Sequence, residues 1–305
     1  MKKLLSVALA IFITCGISAQ TTEAEANLKK VKNDTTDGWE TGGTITVNLN
    51  QVALKNWSAG GQASVSASGL VNLFATYKKG NGLWENYLDI GYGSIKQDGN
   101  DGWRKSDDKI DFTSKYGQKA SRHWYYAALL NFKTQMTEGN TYTDTSSTLI
   151  SDFLAPAYLL GALGMDYKPN KNFTAFIAPL TAKATFVNNQ AFADAGAFGV
   201  DPGKKSRVEI GGYTRIFYKK KIMENVDFLT KLDLFSNYIE DPQNIDVNWE
   251  VLISMKVNKF ISATISTTLL YDHDIDIAYD ENDPTKVGPR TQFKEVLGVG
   301  FSYKF

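Results

Sequence analysis

Apolar and polar side chains alternate with a period of two along most of the chain after Trp39, and this pattern restricts the fold more than any other feature. Val247, Trp249, Val251, Ile253, Met255 and Val257 share one face of a segment whose other face carries Asn248, Glu250, Ser254 and Lys256, with Leu252 as the exception. Ile261, Ala263, Ile265, Thr267, Leu269 and Tyr271 likewise oppose Ser262, Thr264, Ser266, Thr268 and Asp272. Such segments are strands with one apolar and one polar face. The pattern predicts twelve strands, near 42–54, 62–78, 83–95, 106–117, 123–137, 157–167, 172–180, 207–218, 225–236, 245–257, 260–272 and 291–305.

The connections decide what those strands build. Short turns are predicted at Lys79-Gly80-Asn81, Gly117-Gln118-Lys119, Pro169-Asn170-Lys171, Lys219-Lys220-Lys221 and Asn258-Lys259. Long loops fall at 96–105, 138–156, 181–206, 237–244 and 273–290, with a modest one from Lys55 to Gly61. A soluble sandwich has no reason to put every short turn at one end, whereas a transmembrane barrel has short periplasmic turns and long outer loops. The prediction is therefore an all-β fold: an antiparallel transmembrane barrel of about twelve strands, of the outer-membrane type. All seven prolines (Pro156, Pro169, Pro179, Pro202, Pro242, Pro284, Pro289) fall in predicted loops, turns or strand ends, where no ladder bond is lost.

Composition fits. The 33 basic residues balance the 33 acidic ones, which argues against a nucleic-acid partner held by bulk charge. No apolar run after the N-terminal segment approaches the ~18 residues of a spanning helix, Ala157 to Met165 being the longest. The 17 Phe, 15 Tyr and 6 Trp rule out disorder. Several gather beside the short turns: Tyr77, Trp84, Trp124, Tyr167, Phe173, Tyr218 and Phe260 lie level with Tyr303 and Phe305, as an aromatic girdle at a membrane interface requires.

Lys2 and Lys3, an apolar stretch from Leu4 to Ile13 and Ser18-Ala19 have the order of a secretory signal peptide, assigned to residues 1–19. Cys15, the one cysteine, lies within it, so the mature chain has no thiol chemistry. Residues 20–38 form a polar periplasmic extension and 39–305 the barrel. In the last strand Leu297, Val299, Phe301, Tyr303 and Phe305 alternate with Gly298, Gly300, Ser302 and Lys304. This resembles, position by position, the terminal strand by which outer-membrane barrels are recognised by their assembly machinery, which makes Tyr303 and Phe305 the assembly signal.

Several phrases resemble an uncharacterised Bacteroidota outer-membrane family, a domain-of-unknown-function family. They are Leu83-Trp84-Glu85-Asn86-Tyr87-Leu88-Asp89, Lys105-Ser106-Asp107-Asp108-Lys109, Asn131-Phe132-Lys133-Thr134-Gln135, Ala155-Pro156-Ala157-Tyr158, Gly164-Met165-Asp166-Tyr167-Lys168-Pro169-Asn170, Gly196-Ala197-Phe198-Gly199-Val200 and Asn248-Trp249-Glu250. The resemblance extends over nearly all of the chain after residue 38. It implies a cell-outer-membrane location and no established activity.

With apolar faces toward lipid, the lumen receives Glu85, Asp89, Asp111, Lys115, Lys133, Glu209, Arg215, Asp227, Lys231, Asp233, Glu250 and Lys256. Confined charges of both signs tend to pair, because an unpaired buried ion costs several kcal/mol. A twelve-stranded barrel lies between those filled by side chains and those enclosing a water channel. Two readings follow: a structural salt-bridge network, or a solute path for which Gly298, Gly300 and Ser302 leave room. The function expected first is a channel or transport barrel for small solutes with a mixed-charge lumen. The alternative is a structural or surface-binding barrel acting through its long loops, and last comes an outer-membrane lipid hydrolase.

An enzyme is not expected. His123 sits at the turn end beside Trp124, and His273 at a loop end, where a serine such as Ser147 or Ser151 is a candidate partner. No Gly-x-Ser-x-Gly, His-Glu-x-x-His or P-loop element occurs. Asp272, Asp274 and Asp276, continuing to Asp280, Glu281 and Asp283, are weak candidates for a divalent-ion site against lipopolysaccharide, without the glycine or distal glutamate of an EF-hand loop. No cofactor is expected. Expected partners are outer-membrane lipid, lipopolysaccharide and the assembly machinery, with the solute unknown.

Overall fold

The computed structural model describes residues 37–54, 62–99, 102–142, 146–258, 261–278 and 286–305. The proposed leader, the extension up to residue 36, the loop around 55–61, Phe260, Pro284 and the acidic run Asp280, Glu281 and Asp283 lie outside the described residues.

Among the described residues, twelve long strands close into one antiparallel barrel. They are β1 (Gly38–Val52), β2 (Ser64–Lys79), β3 (Gly82–Gln97), β4 (Arg104–Lys119), β5 (Trp124–Thr134), β8 (Ala157–Asn170), β9 (Phe173–Phe186), β10 (Ser206–Met223), β11 (Val226–Asn237), β12 (Ile245–Lys256), β13 (Ile261–Tyr271) and β16 (Gln292–Lys304). Four short strands form two hairpins in the loops: β6 (Gly139–Tyr142) with β7 (Ser147–Ser151), and β14 (Asp276–Ala278) with β15 (Val287–Pro289). A short helix α1 (Gln190–Asp194) sits in the loop after β9, started by the Asn189 side chain accepting from the Ala191 N–H. Around the barrel each long strand pairs with its sequence neighbours, and β16 meets β1 to close the ring.

The alternation becomes an outside and an inside. Val208, Leu163, Leu180, Phe293, Leu297 and Phe301 point outward and are exposed. At the turn end Trp39, Tyr77, Trp84 and Tyr116 stand in register across β1 to β4. The Trp39 ring lies 5.0 Å from Tyr77 and 5.7 Å from Trp84, and Trp124 lies 4.7 Å from Tyr167. Inward-facing positions carry most of the buried polar residues, such as Glu85, Asp89, Asp111, Lys231 and Glu250.

The strands differ from the sequence expectation where local geometry departs from simple alternation. β9 runs to Phe186, beyond the expected 180, because a bulge lies in it: Leu163 faces Leu180 but Met165 faces Ile177. Pro179 sits in that bulge and not at a strand end; the unpaired residue removes the need for its N–H. Gly117-Gln118-Lys119, Pro169-Asn170 and Lys219-Lys220-Lys221, expected as turns, belong to the strands β4, β8 and β10. The loops expected at 138–156 and 273–290 contain the β6–β7 and β14–β15 hairpins. The loop after β9 has a small core of its own, with Ala155, Val187, Ala193 and Val200 buried and Phe192 and Phe198 packed on them.

Closure is the shortest pairing within the barrel. β1 matches β2 from Gly38↔Lys78 to Val52↔Ser64, but matches β16 only from Thr44↔Lys304 to Asn48↔Gly300. Phe305 extends that seam: its N–H donates to the Gly43 carbonyl and its carbonyl accepts from the Gly43 N–H, both at 3.1 Å.

Candidate functional site

The inward charges assemble into three tiers. Nearest the short turns, Glu85 on β3, Lys115 on β4 and Asp166 and Lys168 on β8 form a closed ring of alternating charge. Lys115 Nζ lies 2.6 Å from Asp166 and 3.4 Å from Glu85; Lys168 Nζ lies 2.8 Å from Glu85 and 3.3 Å from Asp166. Each cation thus serves two carboxylates, which offsets the desolvation that an isolated buried pair suffers.

At mid-height, strand register itself sets the pairs. Arg215 stands opposite Asp233 and grips it with two bonds, Nε at 2.6 Å and Nη2 at 3.0 Å, while Tyr213 Oη donates to the same carboxylate at 2.8 Å. Lys231 stands opposite Glu250, with Nζ 2.9 Å from Oε1. Asp89 and Asp111 are also directly opposite, which would repel. Amides intervene: Asn72 donates to Asp89, and Asn131 Nδ2 donates to Asp111 at 2.6 Å. Lys109 and Lys133 reach Asp111 at 3.6 and 3.8 Å. Apolar groups fill the space between. Leu252, the exception in its strand's alternation, packs inward with Phe217 and Leu229, and Leu129, Phe176, Tyr213 and Phe235 form a second inward cluster. Phe176, Leu229, Lys231, Glu250, Asn72 and Asp89 are all no more than 2% exposed, so these side chains are closed off from water at the lumen's middle.

At the loop end, Lys183 gathers Asp246 at 2.8 Å, Glu209 at 3.3 Å and Asp272 at 3.5 Å. Arg207 holds Glu240 at 2.6 Å and Asp274 at 3.0 Å. Lys294 on β16 reaches Asp107 on β4 at 3.3 Å, a tie between strands three places from adjacent. A cavity of about 140 Å³ opens here, lined by acidic side chains including Glu209, Glu240, Asp241 and Asp246, with His273. A larger cavity of about 370 Å³ lies at the turn end. Leu129, Phe176, Phe217 and Tyr125 give it an apolar wall, the four-charge ring lies along it, and Lys119, Arg122, His123 and Lys171 stand at its rim.

The lumen-facing residues expected from sequence thus come together, with two exceptions: Asp227 and Lys256 keep the inward register but make no ion pair among the described residues. Lys109, Asp166, Lys168, Lys183, Arg207 and Asp246, which alternation alone does not single out, complete the network. Lys183 lay in an expected loop, and the bulge before it reverses the phase of alternation. Of the acidic loop, Asp272 and Asp274 are taken up by Lys183 and Arg207, and Asp276 lies in the β14 hairpin. No group of His, Cys, Asp and Glu with metal-holding geometry occurs among the described residues. His273 Nδ1 lies 3.1 Å from Tyr271 Oη, and neither Ser147 nor Ser151 bonds to it, so the hydrolase pairing does not form. His123 packs edge-on against Tyr167 at 6.2 Å. Gly298 and Gly300 face inward and are buried, while Tyr303 and Phe305 point outward.

A family model described as a protein of unknown function (DUF3078) matches residues 49–140, from the end of β1 to the β6 hairpin. That span holds the phrases at Leu83–Asp89, Lys105–Lys109 and Asn131–Gln135; those beyond residue 140 lie outside it. No curated protein matches the chain. Among solved structures, the translocator domain of the autotransporter NalP from Neisseria meningitidis aligns with a TM-score of 0.37 at 10% identity, over 93% of this chain and 94% of that one. An outer membrane channel from Pseudomonas putida F1 aligns with a TM-score of 0.40 at 10% identity, over 90% and 98%. The NanC porin aligns with a TM-score of 0.37 at 8% identity, over 86% and 97%.

Proposed function

We propose that this protein is an outer-membrane barrel for small solutes whose lumen is held shut at mid-height by its own ion pairs. An exterior of exposed Leu, Val, Ile and Phe with an aromatic row at the turn end suits a bilayer and would be an aggregation liability in water. Outer-membrane lipid and lipopolysaccharide are then its surroundings, and recognition of Tyr303 and Phe305 by the assembly machinery belongs to the same reading. The observation that carries the functional part is the belt of Lys231, Glu250, Arg215, Asp233, Asp89 and Asp111: charges of both signs, each held by a charged or amide partner and all but Arg215 buried, with a cavity toward each end. A belt of this kind is a gate, since its closed state rests on pairs that compete with water and with a charged solute.

Proteoliposomes test this reading. Wild-type protein should release small charged solutes slowly, the Lys231→Ala/Glu250→Ala variant faster, and Arg215→Glu should change the preference between anions and cations. Equal impermeability of wild type and gate variants would overturn the solute reading. It would favour a structural or surface-binding barrel, for which the separately packed loop around Val187 and Val200 speaks.

A further inference from the structure

The turn-end cavity contains six basic side chains, and their partners divide them into two sets. Lys115 and Lys168 are neutralised by Glu85 and Asp166, and Arg215 by Asp233. Lys119, Arg122 and Lys171 are exposed at the rim and make no ion pair with any described residue. Lys119 ends β4, Arg122 lies in the connection after it and Lys171 in the one after β8, and the pairing of β5 with β8 brings them to the same mouth. Below them the wall changes character, to Tyr125, Leu129, Phe176 and Phe217. The cavity, about 370 Å³, is within the ~300–1,000 Å³ range of small-molecule sites, and it joins an apolar wall to a dense set of charges.

The geometry points to a binding site for a small organic anion that enters from the turn end: its carboxylate or phosphate at Lys119, Arg122 and Lys171, its apolar body against Phe176, Leu129 and Phe217. The paired ring beneath the rim supports this in two ways. It presents no net charge of its own, so the uncompensated field at the mouth is that of the three rim cations. It also fixes the cavity wall, because Glu85 and Asp166 are each held by two lysines. A guanidinium among the three provides a two-pronged donor that matches a planar carboxylate or a phosphate edge. The opposite cavity is lined by carboxylates, most of them held by Lys183 and Arg207, so it offers no comparable set of unpaired cations. This site goes beyond the transport reading and does not require a solute to cross the belt.

The test uses the folded full-length barrel in a neutral detergent, titrated calorimetrically with phenyl phosphate and with its two halves, inorganic phosphate and phenol. Phenyl phosphate should bind more tightly than either half, and less tightly as salt is raised. The Lys119→Gln/Arg122→Gln/Lys171→Gln variant should lose at least about tenfold in affinity while keeping its heat-modifiable migration. Should that variant fail to fold, Arg122→Gln alone carries the same test with a smaller loss. Phenol binding as well as phenyl phosphate, unchanged affinity in a folded variant, or no binding of phenyl phosphate would each overturn the proposal. Because no membrane is involved, failure here leaves the gated-barrel reading standing, and failure of solute release leaves this site standing.

Discussion

Lys231 and Glu250 face each other across β11 and β12 with Nζ 2.9 Å from Oε1, and each side chain is only 1% exposed. Removing one partner of such a pair leaves an uncompensated buried charge, at a cost of about 3–5 kcal/mol, whereas replacing both by apolar groups is often neutral or better. Leu252, Leu229 and Phe217 supply the apolar surroundings that a double replacement needs. Lys231→Met alone should therefore destabilise strongly, and Lys231→Met/Glu250→Leu should recover most of the loss. Urea unfolding followed by heat-modifiable gel migration measures both; an additive double variant would contradict this account of the pair.

Gly164 lies beside the β9 bulge. A methyl group there would run into the Ile177 carbonyl oxygen and come within 2.5 Å of Ala178 Cα, and backbone cannot give way as a side chain does. Overpacking of this kind costs about 1–3 kcal/mol. Gly161, in the same strand, has nothing within 4 Å of such a methyl. Gly164→Ala should lower the urea midpoint clearly, and Gly161→Ala should leave it nearly unchanged.

The seam between β1 and β16 makes Gly43 and Phe305 a unit. A methyl on Gly43 would lie 2.7 Å from the Phe305 ring and 2.9 Å from the Asn72 carbonyl oxygen. Deleting Phe305 removes two backbone bonds from the shortest pairing in the barrel. Refolding yield into detergent should fall for Gly43→Ala and for the deletion, and less for Phe305→Ala, which keeps the backbone bonds. Gly69→Ala, where the space is open, is the control.

Asp108 ties the chain after β5 to β4. Its carboxylate accepts from the N–H groups of Met136 and Thr137, from Thr137 Oγ1 and from Lys105 Nζ. Asp108→Ala leaves two backbone donors without their acceptor, worth about 1–3 kcal/mol each where they are buried. Limited proteolysis of the variant should cut the segment 136–156 sooner than in wild type, with the barrel strands still protected. Unchanged cleavage would remove Asp108 from this role.

Much of this was legible in the chain because a strand in a barrel exposes its pattern twice, once to lipid and once to the lumen. Trp249, Val251 and Ile253 on one side and Asn248, Glu250 and Ser254 on the other suffice to orient β12. The same logic placed Glu85, Asp89, Arg215, Lys231 and Asp233 inside. It weakens where both faces are apolar, as with Leu129, Phe176 and Phe235, whose inward direction comes only from strand pairing. It fails where a bulge shifts the phase, which is why alternation puts Lys183 in a loop and the structure puts it in β9. Pairings across the ring, such as Lys168 with Glu85 or Lys294 with Asp107, depend on shear and on which side chains are long enough to meet. Alternation carries no information about either.

Conductance in planar bilayers tests the central claim, closure of the lumen by its own paired charges, most directly. Wild-type protein should give no steady open-pore steps at moderate voltage, and Lys231→Ala/Glu250→Ala/Phe176→Ala, confirmed as folded by its heat-modifiable migration, should give discrete openings. Large, steady steps from the wild type would contradict it.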